Sequence, residues 1–152
     1  MKNALPMILI RLVVGLVFVT EGLLKFLHPA ELGAGRFAVI GIPFPDLLGP
    51  FVGGIEIAAG SAVALNLFAG DAALALLAVI LTALVTTKLP VLLGHPMGQF
   101  SLMKLPHYGI LSFLHEARLD LAMLFALVAV VLDSGLRIGQ ARHWYQPRSP
   151  RA

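Results

Sequence analysis

The chain contains no cysteine, which removes disulfides, thiol redox chemistry, covalently attached c-type haem and thiolate-ligated iron–sulfur clusters. Any redox role therefore needs a borrowed or diffusible cofactor. Charge is scarce as well: Asp, Glu, Lys and Arg make up 12% of 152 residues, against roughly a quarter in soluble domains. There is no dinucleotide-binding glycine motif, internal repeat or low-complexity tract. What is there is apolar. The hydrophobic fraction is 59% and the mean hydropathy +0.91. A bilayer core near 30 Å needs about 20 apolar residues per helix, and four such stretches occupy more than half of the chain. An integral membrane protein with no separate soluble domain is expected.

The expected fold is all-α: a four-transmembrane-helix bundle in one membrane domain over 1–152, with helices over about 5–27, 46–68, 72–93 and 117–136. Pro6 is tolerated in the first turn, and His28-Pro29 ends the first helix. Its apolar run exceeds the roughly 7 to 15 residues of a signal-peptide core and no small-x-small pattern follows, so the helix is expected to be retained. A short interfacial helix is expected between Pro29 and Gly41, a tight turn at Ala69-Gly70-Asp71, and a helix bent or stopped by Pro90. The connection from Gly94 to Glu116 should lie at the interface or dip partly inward.

Net charge is +3 with a pI near 9.7. In an apolar chain this is an orientation signal, and no nucleic-acid partner is expected. Lys2, Arg137, Arg142, Arg148 and Arg151 flank one side, whereas Arg36 and Lys104 flank the other. The positive-inside rule then puts both termini, with the basic tail 137–152, in the cytoplasm of a bacterial or archaeal inner (plasma) membrane.

Several charges fall inside the apolar stretches. An ionised side chain at a helix centre costs roughly 2.5–3.5 kcal/mol on insertion scales, so such residues pair, face inward or meet water. Glu21 lies about 10 Å below the outer edge at 1.5 Å per residue. Lys25, Glu56, Lys88, Arg118 and Asp120 fall in the same half of the bilayer. Arg11, Gly15, Phe18, Gly22 and Lys25 share one face of the first helix, and Gly49, Gly53, Glu56 and Gly60 share one face of the second. Small residues let helix backbones approach closely in lipid, so Gly15, Gly22, Gly53 and Gly60 with Arg11 form a candidate structural seam. Two readings stand side by side. The charges are either an ion-pair network fixing helix register, or a polar pocket for a quinone or small oxyanion, with Glu21, Lys25, Glu56, Lys88, Arg118 and Asp120 as ligand-binding or proton-relay candidates.

Four histidines, His28, His95, His107 and His115, sit at or outside the outer edge. Imidazole is the commonest nitrogen ligand, but no two show one-turn helical spacing and proline follows both His28 and His95. No metal site is expected, nor a buried b-type haem. Phe44, Phe51, Phe100, Tyr108 and Phe113 suit an interfacial aromatic belt or the wall of a quinone pocket. Trp144 and Tyr145 suit a belt on the opposite side.

The runs Arg11-Leu12-Val13-Val14-Gly15-Leu16-Val17-Phe18 and Gly22-Leu23-Leu24-Lys25-Phe26 resemble the opening helix of the DoxX family of small membrane proteins. The likeness continues in Gly41-Ile42-Pro43-Phe44-Pro45 and Gly53-Gly54-Ile55-Glu56-Ile57-Ala58-Ala59-Gly60. Asp133-Ser134-Gly135 departs from the Gly-Pro-Gly ending common in that family, and Gly70-Asp71 stands where an arginine is frequent. The resemblance implies a four-helix membrane subunit related to quinol oxidase or thiosulfate:quinone oxidoreductase subunits. It also implies a role resting on Arg11, Lys25 and Glu56 and oxidoreductase subunits as partners; no tightly bound cofactor is expected, and quinone is the candidate ligand. The rival expectation is a noncatalytic membrane scaffold that recruits or stabilises partner oxidoreductases. A homo-oligomer through the glycine seams is also open.

Overall fold

A computed structural model of the chain describes the backbone of residues 4–144 and the side chains of residues 5–135. The described residues form helices joined by turns and one irregular connection. Helix α1 spans Ala4–Leu27, α2 Ala34–Ile40, α3 Pro45–Ala64, α4 Ala69–Ala83, α5 Leu89–Leu93, α6 Ile110–Glu116 and α7 Arg118–Trp144. Among the described residues three rods are long and apolar enough to cross a membrane: Leu5–Leu27, Pro45–Ala64 and the continuous Ala69–Leu93. Their outward faces carry large apolar side chains, among them Leu16 at 70% and Leu81 at 49% exposure. Apolar surface on that scale is untenable in water and natural in lipid.

Local sequence explains most of the boundaries. Pro45 opens α3 at a position where its missing N–H costs nothing, with Asp46 in the first turn. Gly41 closes α2 in the left-handed region (φ 95°), and an added Cβ would fall 2.0 Å from the Gln99 carbonyl oxygen. The segment after Pro96 lies against the end of α2, where the Ser101 hydroxyl donates to the Val39 carbonyl at 2.8 Å and the Ser101 N–H to Ile40 at 2.9 Å. It then returns to the bundle through the Gly109 N–H, which donates to the Val91 carbonyl at 3.1 Å.

Three expectations shift. The turn before α4 is made by Leu65–Phe68, with Asn66 (φ 58°) and Phe68 (φ 47°) in the left-handed region. Gly70 is not part of that turn. It lies inside α4, where an added Cβ would meet Ser134 Cβ at 3.0 Å, so its smallness serves the close approach of α4 to α7. Pro90 does not stop its helix, which runs on to Leu93; the distortion falls upstream as a π-helical turn over Leu84–Lys88. Proline cannot donate to the carbonyl of residue 86 and its ring crowds it, and a wider turn relieves that clash. Threonine hydroxyls bond carbonyls one turn back along the same stretch, Thr86 donating to Thr82 O at 2.8 Å and Thr87 to Ala83 O at 2.6 Å. Finally, α7 continues to Trp144 rather than ending at Leu136, because no proline interrupts it before Pro147. The side chains of the expected basic tail lie outside the described residues, as do Lys2 and Tyr145.

Helix α1 packs against α3, α3 against α4, α4 against α7, and α7 back against α1. The α1–α3 contact is a seam of glycines: a Cβ on Gly22 would sit 2.6 Å from the Gly53 carbonyl oxygen, and one on Gly15 2.7 Å from that of Gly60. These four glycines face one another within a single chain. Val14, Phe18, Val63, Ala73, Leu76, Leu127 and Val130 fill the centre between the helices.

Overpacking a close helix contact costs about 1–3 kcal/mol or more. Gly22→Val should therefore lower the melting temperature in detergent well below that of Gly54→Ala, where an added Cβ meets nothing within 4 Å. Equal thermal stability of the two variants would show that α1 and α3 do not pack through these glycines.

Candidate functional site

The buried charges form two layers, one at each end of the apolar centre. From Arg11 to Lys25 along α1 is about 21 Å, and from Asp120 to Asp133 along α7 about 20 Å, at 1.5 Å per residue. At one end, Arg11 Nη2 lies 2.6 Å from Asp133 Oδ2, with Arg11 only 4% exposed. This pair bonds the first long helix to the last.

At the other end, Lys25 Nζ lies 2.6 Å from Glu56 Oε2 and 3.9 Å from Glu21 Oε2. Glu56 is buried in the α1–α3 contact by the same glycine spacing that brings the backbones together, with Gly53 one turn before it and Gly60 one turn after. Glu21 is half-exposed. On the α5 and α7 side, Lys88 Nζ stands 3.9 Å from Asp120 Oδ2. The π-helical turn ends at Lys88 and brings the lysine inside. Arg36 on α2 and Glu21 on α1 both act on Asp120 electrostatically, and Glu21 acts on Glu56. At this end Lys25 thus faces Glu21 and Glu56, and Lys88 faces Asp120.

Arg118 does not join that group. It is exposed at the start of α7 and its guanidinium donates to the His115 carbonyl. It lines, with Lys88, Glu116, Leu119, Asp120 and Ala122, an open cleft of about 610 Å³. A second open cleft of about 680 Å³ adjoins it across Glu116 and is mainly apolar, walled by Leu105, Tyr108, Ile110 and Leu111 with His107 and His115 at its polar edge. Tyr108 is fixed there, its hydroxyl donating to Met103 O and accepting from Leu105 N–H. His28, His95, His107 and His115 are all exposed, His95 against its neighbouring Pro96 carbonyl. Among the described residues no three His, Asp or Glu side chains are placed to hold a metal ion.

Sequence reasoning did not find the partner of Arg11, nor Arg36 or Glu116. Asp133 was open to discovery, because it ends the apolar run of α7 at the depth of Arg11 on α1. Arg36 was not, since its place depends on how α2 folds back over α3, where Gly49 admits Ala34 at contact distance.

The matching family model is DoxX, over residues 7–89, more than half of the 152 residues. This chain belongs to the DoxX family. The match covers α1 to α4 with the glycine seam, Lys25, Glu56 and Lys88. The chain is also 42% identical over 121 residues to "Uncharacterized membrane protein Rv3486" of Mycobacterium tuberculosis, covering 80% of this chain and 70% of that protein. No solved structure gives a significant match.

The two ion pairs at the Lys25 end differ in kind. Lys25–Glu56 is short and closed, both side chains being at most 10% exposed. Removing one partner of a buried pair strands the other charge and costs about 3–5 kcal/mol, whereas replacing both by apolar groups is often near neutral. Glu56→Leu should therefore unfold in detergent more readily than Leu16→Ala on the lipid face, and Lys25→Met added to it should recover most of the loss. Additive losses in the double variant would show that the two charges are not coupled.

Proposed function

We propose that this DoxX-family protein is a four-span subunit of a respiratory or sulfur redox system in a bacterial inner membrane, and that it holds a quinone or a small oxyanion at Lys88. The observation that carries the reading is the state of Lys88: its side chain is about nine-tenths buried, its ion-pair contact with Asp120 is a loose 3.9 Å, and it lines an open cleft. A desolvated ammonium has three donors, and one distant carboxylate uses few of them. A ligand oxygen entering the cleft would accept from Lys88 and Arg118, while Asp120 and Glu116 stand by as proton acceptors. Lys25–Glu56 then acts as the rivet that keeps the helices in register beside the site. The apolar cleft beyond Glu116 suits the body of a lipid-soluble ligand better than it suits thiosulfate. Electrons come from a partner subunit, since this chain has no cysteine and its described histidines lie at the surface.

The four-span reading rests on α7, which packs on α4 and α1 like the other long helices and bears Phe125 and Leu132 at 70% and 63% exposure. Both termini then lie on one side, the cytoplasmic side by the arginine bias. The scaffold reading draws on the tightness of Lys25–Glu56, which needs no ligand to explain it. In that case partner oxidoreductases would bind regardless of what occupies the Lys88 cleft.

Binding of decylubiquinone and of thiosulfate to the purified protein in lipid nanodiscs separates the two. Losing a charge-assisted hydrogen bond is worth about 1.5–3 kcal/mol, so Lys88→Gln should weaken decylubiquinone binding about tenfold or more while lowering thermal stability less than Glu56→Leu does, because the Lys88–Asp120 pair is looser and more open. Undiminished affinity in Lys88→Gln, or no binding of either probe to the unaltered protein, would remove the Lys88 site and leave the scaffold.

A further inference from the structure

Helices α1 and α7 meet in one half of the bundle and part in the other. On α1, Ile10, Val14, Val17 and Glu21 recur at the four-and-three spacing of a single helix face. Ile10 and Val17 pack on the apolar centre and Val14 is fully buried, yet the Glu21 side chain, one turn beyond Val17, is 52% exposed. On α7, Asp133, Val130, Ala126, Ala122 and Leu119 recur at the same spacing. Val130 and Ala126 pack on the apolar centre, whereas Ala122 is exposed and Leu119 is 52% exposed. The Arg11–Asp133 pair gives the two faces a common level. Counted from it at 1.5 Å per residue, α1 is sealed to about 9 Å and open at about 15 Å, and α7 is sealed to about 10 Å and open at about 17 Å. The two faces separate at the same height.

The cause lies in what holds each helix there. At that end α1 is drawn to α3, by Gly22 against Gly53 and by Lys25–Glu56 at 2.6 Å, while Asp120 of α7 leans to Lys88. What α1 and α7 offer each other is Glu21 and Asp120, two acids near enough to act on one another electrostatically, and like charges hold faces apart. The open cleft lies on this side of α7, lined by Leu119 and Ala122 together with Asp120 and Lys88. Because α1 and α7 are neighbours on the perimeter of the bundle, a gap between them faces sideways. Glu21 is six residues, about 9 Å, below the end of α1 at Leu27, so the gap opens at the depth of the lipid.

We propose that the gap between α1 and α7 is a lateral doorway through which a ligand dissolved in the bilayer reaches Lys88, with Glu21 and Ala122 as its two posts. This rests on the Lys88 reading and narrows its ligand to an amphiphile. The apolar body passes Leu119 and Ala122, and the polar head meets Glu21 instead of bare hydrocarbon on its way in.

The chain has no native cysteine, so Glu21→Cys and Ala122→Cys can be combined and bridged by a short bis-maleimide in lipid nanodiscs. Association and dissociation of decylubiquinone are followed before and after bridging, the unbridged double variant serving as its own reference. Bridging should slow both rates about tenfold or more and leave Kd within about twofold, because a doorway governs passage in either direction and not the depth of the bound state. Leu119→Cys in place of Ala122→Cys gives a second bridge across the same gap, with the same expectation. Failure of the bis-maleimide to join either pair of cysteines, or a bridged protein that exchanges decylubiquinone as fast as before, would overturn the doorway and leave the Lys88 site standing. A raised Kd with an unchanged association rate would overturn it too, since the bridge would then act on the bound state. No binding of decylubiquinone to the unaltered protein would remove the quinone reading of Lys88 and the doorway with it.

Discussion

An ionised side chain out of water must find an opposite charge, and in this protein that requirement decides which helix stands beside which. Coulomb attraction across a few ångströms is worth little in water and much more at low dielectric. The lipid-embedded chain thus has a strong reason to bring Lys25 to Glu56 and Arg11 to Asp133, each at 2.6 Å. Hydrophobicity supplies no comparable preference, because a leucine on one helix is as content with a lipid tail as with another helix. The apolar centre of Val14, Phe18, Leu76, Leu127 and Val130 fills the space between two charged layers rather than choosing the neighbours.

Close approach is the second condition, and glycine meets it. Without a Cβ at Gly15, Gly22, Gly53 and Gly60, the α1 and α3 backbones come near enough for Lys25 and Glu56 to touch while staying sealed from solvent. On the other side of the molecule the geometry is looser. Lys88 is placed by a widened turn ahead of Pro90, its partner stands at 3.9 Å, and a cleft opens there. One fold thus holds a closed pair suited to stability and an open one suited to a ligand. Under the proposed function, the network reading applies to the first pair and the pocket reading to the second.

Much of this was legible in the residues. The long apolar runs, the placement of glycine at four-and-three spacing, and the burial of Lys25 and Glu56 follow from periodicity and the cost of charge in hydrocarbon. Arg118 shares the open cleft with Lys88 and Asp120 but not their ion pair, because a helix sends residues two apart to different faces and its guanidinium turns back to the His115 carbonyl. Gly70 did mislead. A glycine beside an aspartate reads as a turn, but smallness serves packing against Ser134 just as well, and the turn itself went to Asn66.

By itself the sequence determined that the chain lives in a membrane, that α1 and α3 offer small-residue faces, and that its buried charges need partners, because these depend on transfer energies and local spacing alone. Only the tertiary structure decided the partners. Arg11 and Asp133 are separated by 122 positions, and nothing in local spacing says that the last helix returns to the first. Nor does it say that α2 brings Arg36 toward Asp120, or that Lys88 is left loosely held beside an open cleft. Those outcomes depend on how far the helices can approach before their side chains collide, a property of the packed assembly and of no segment within it.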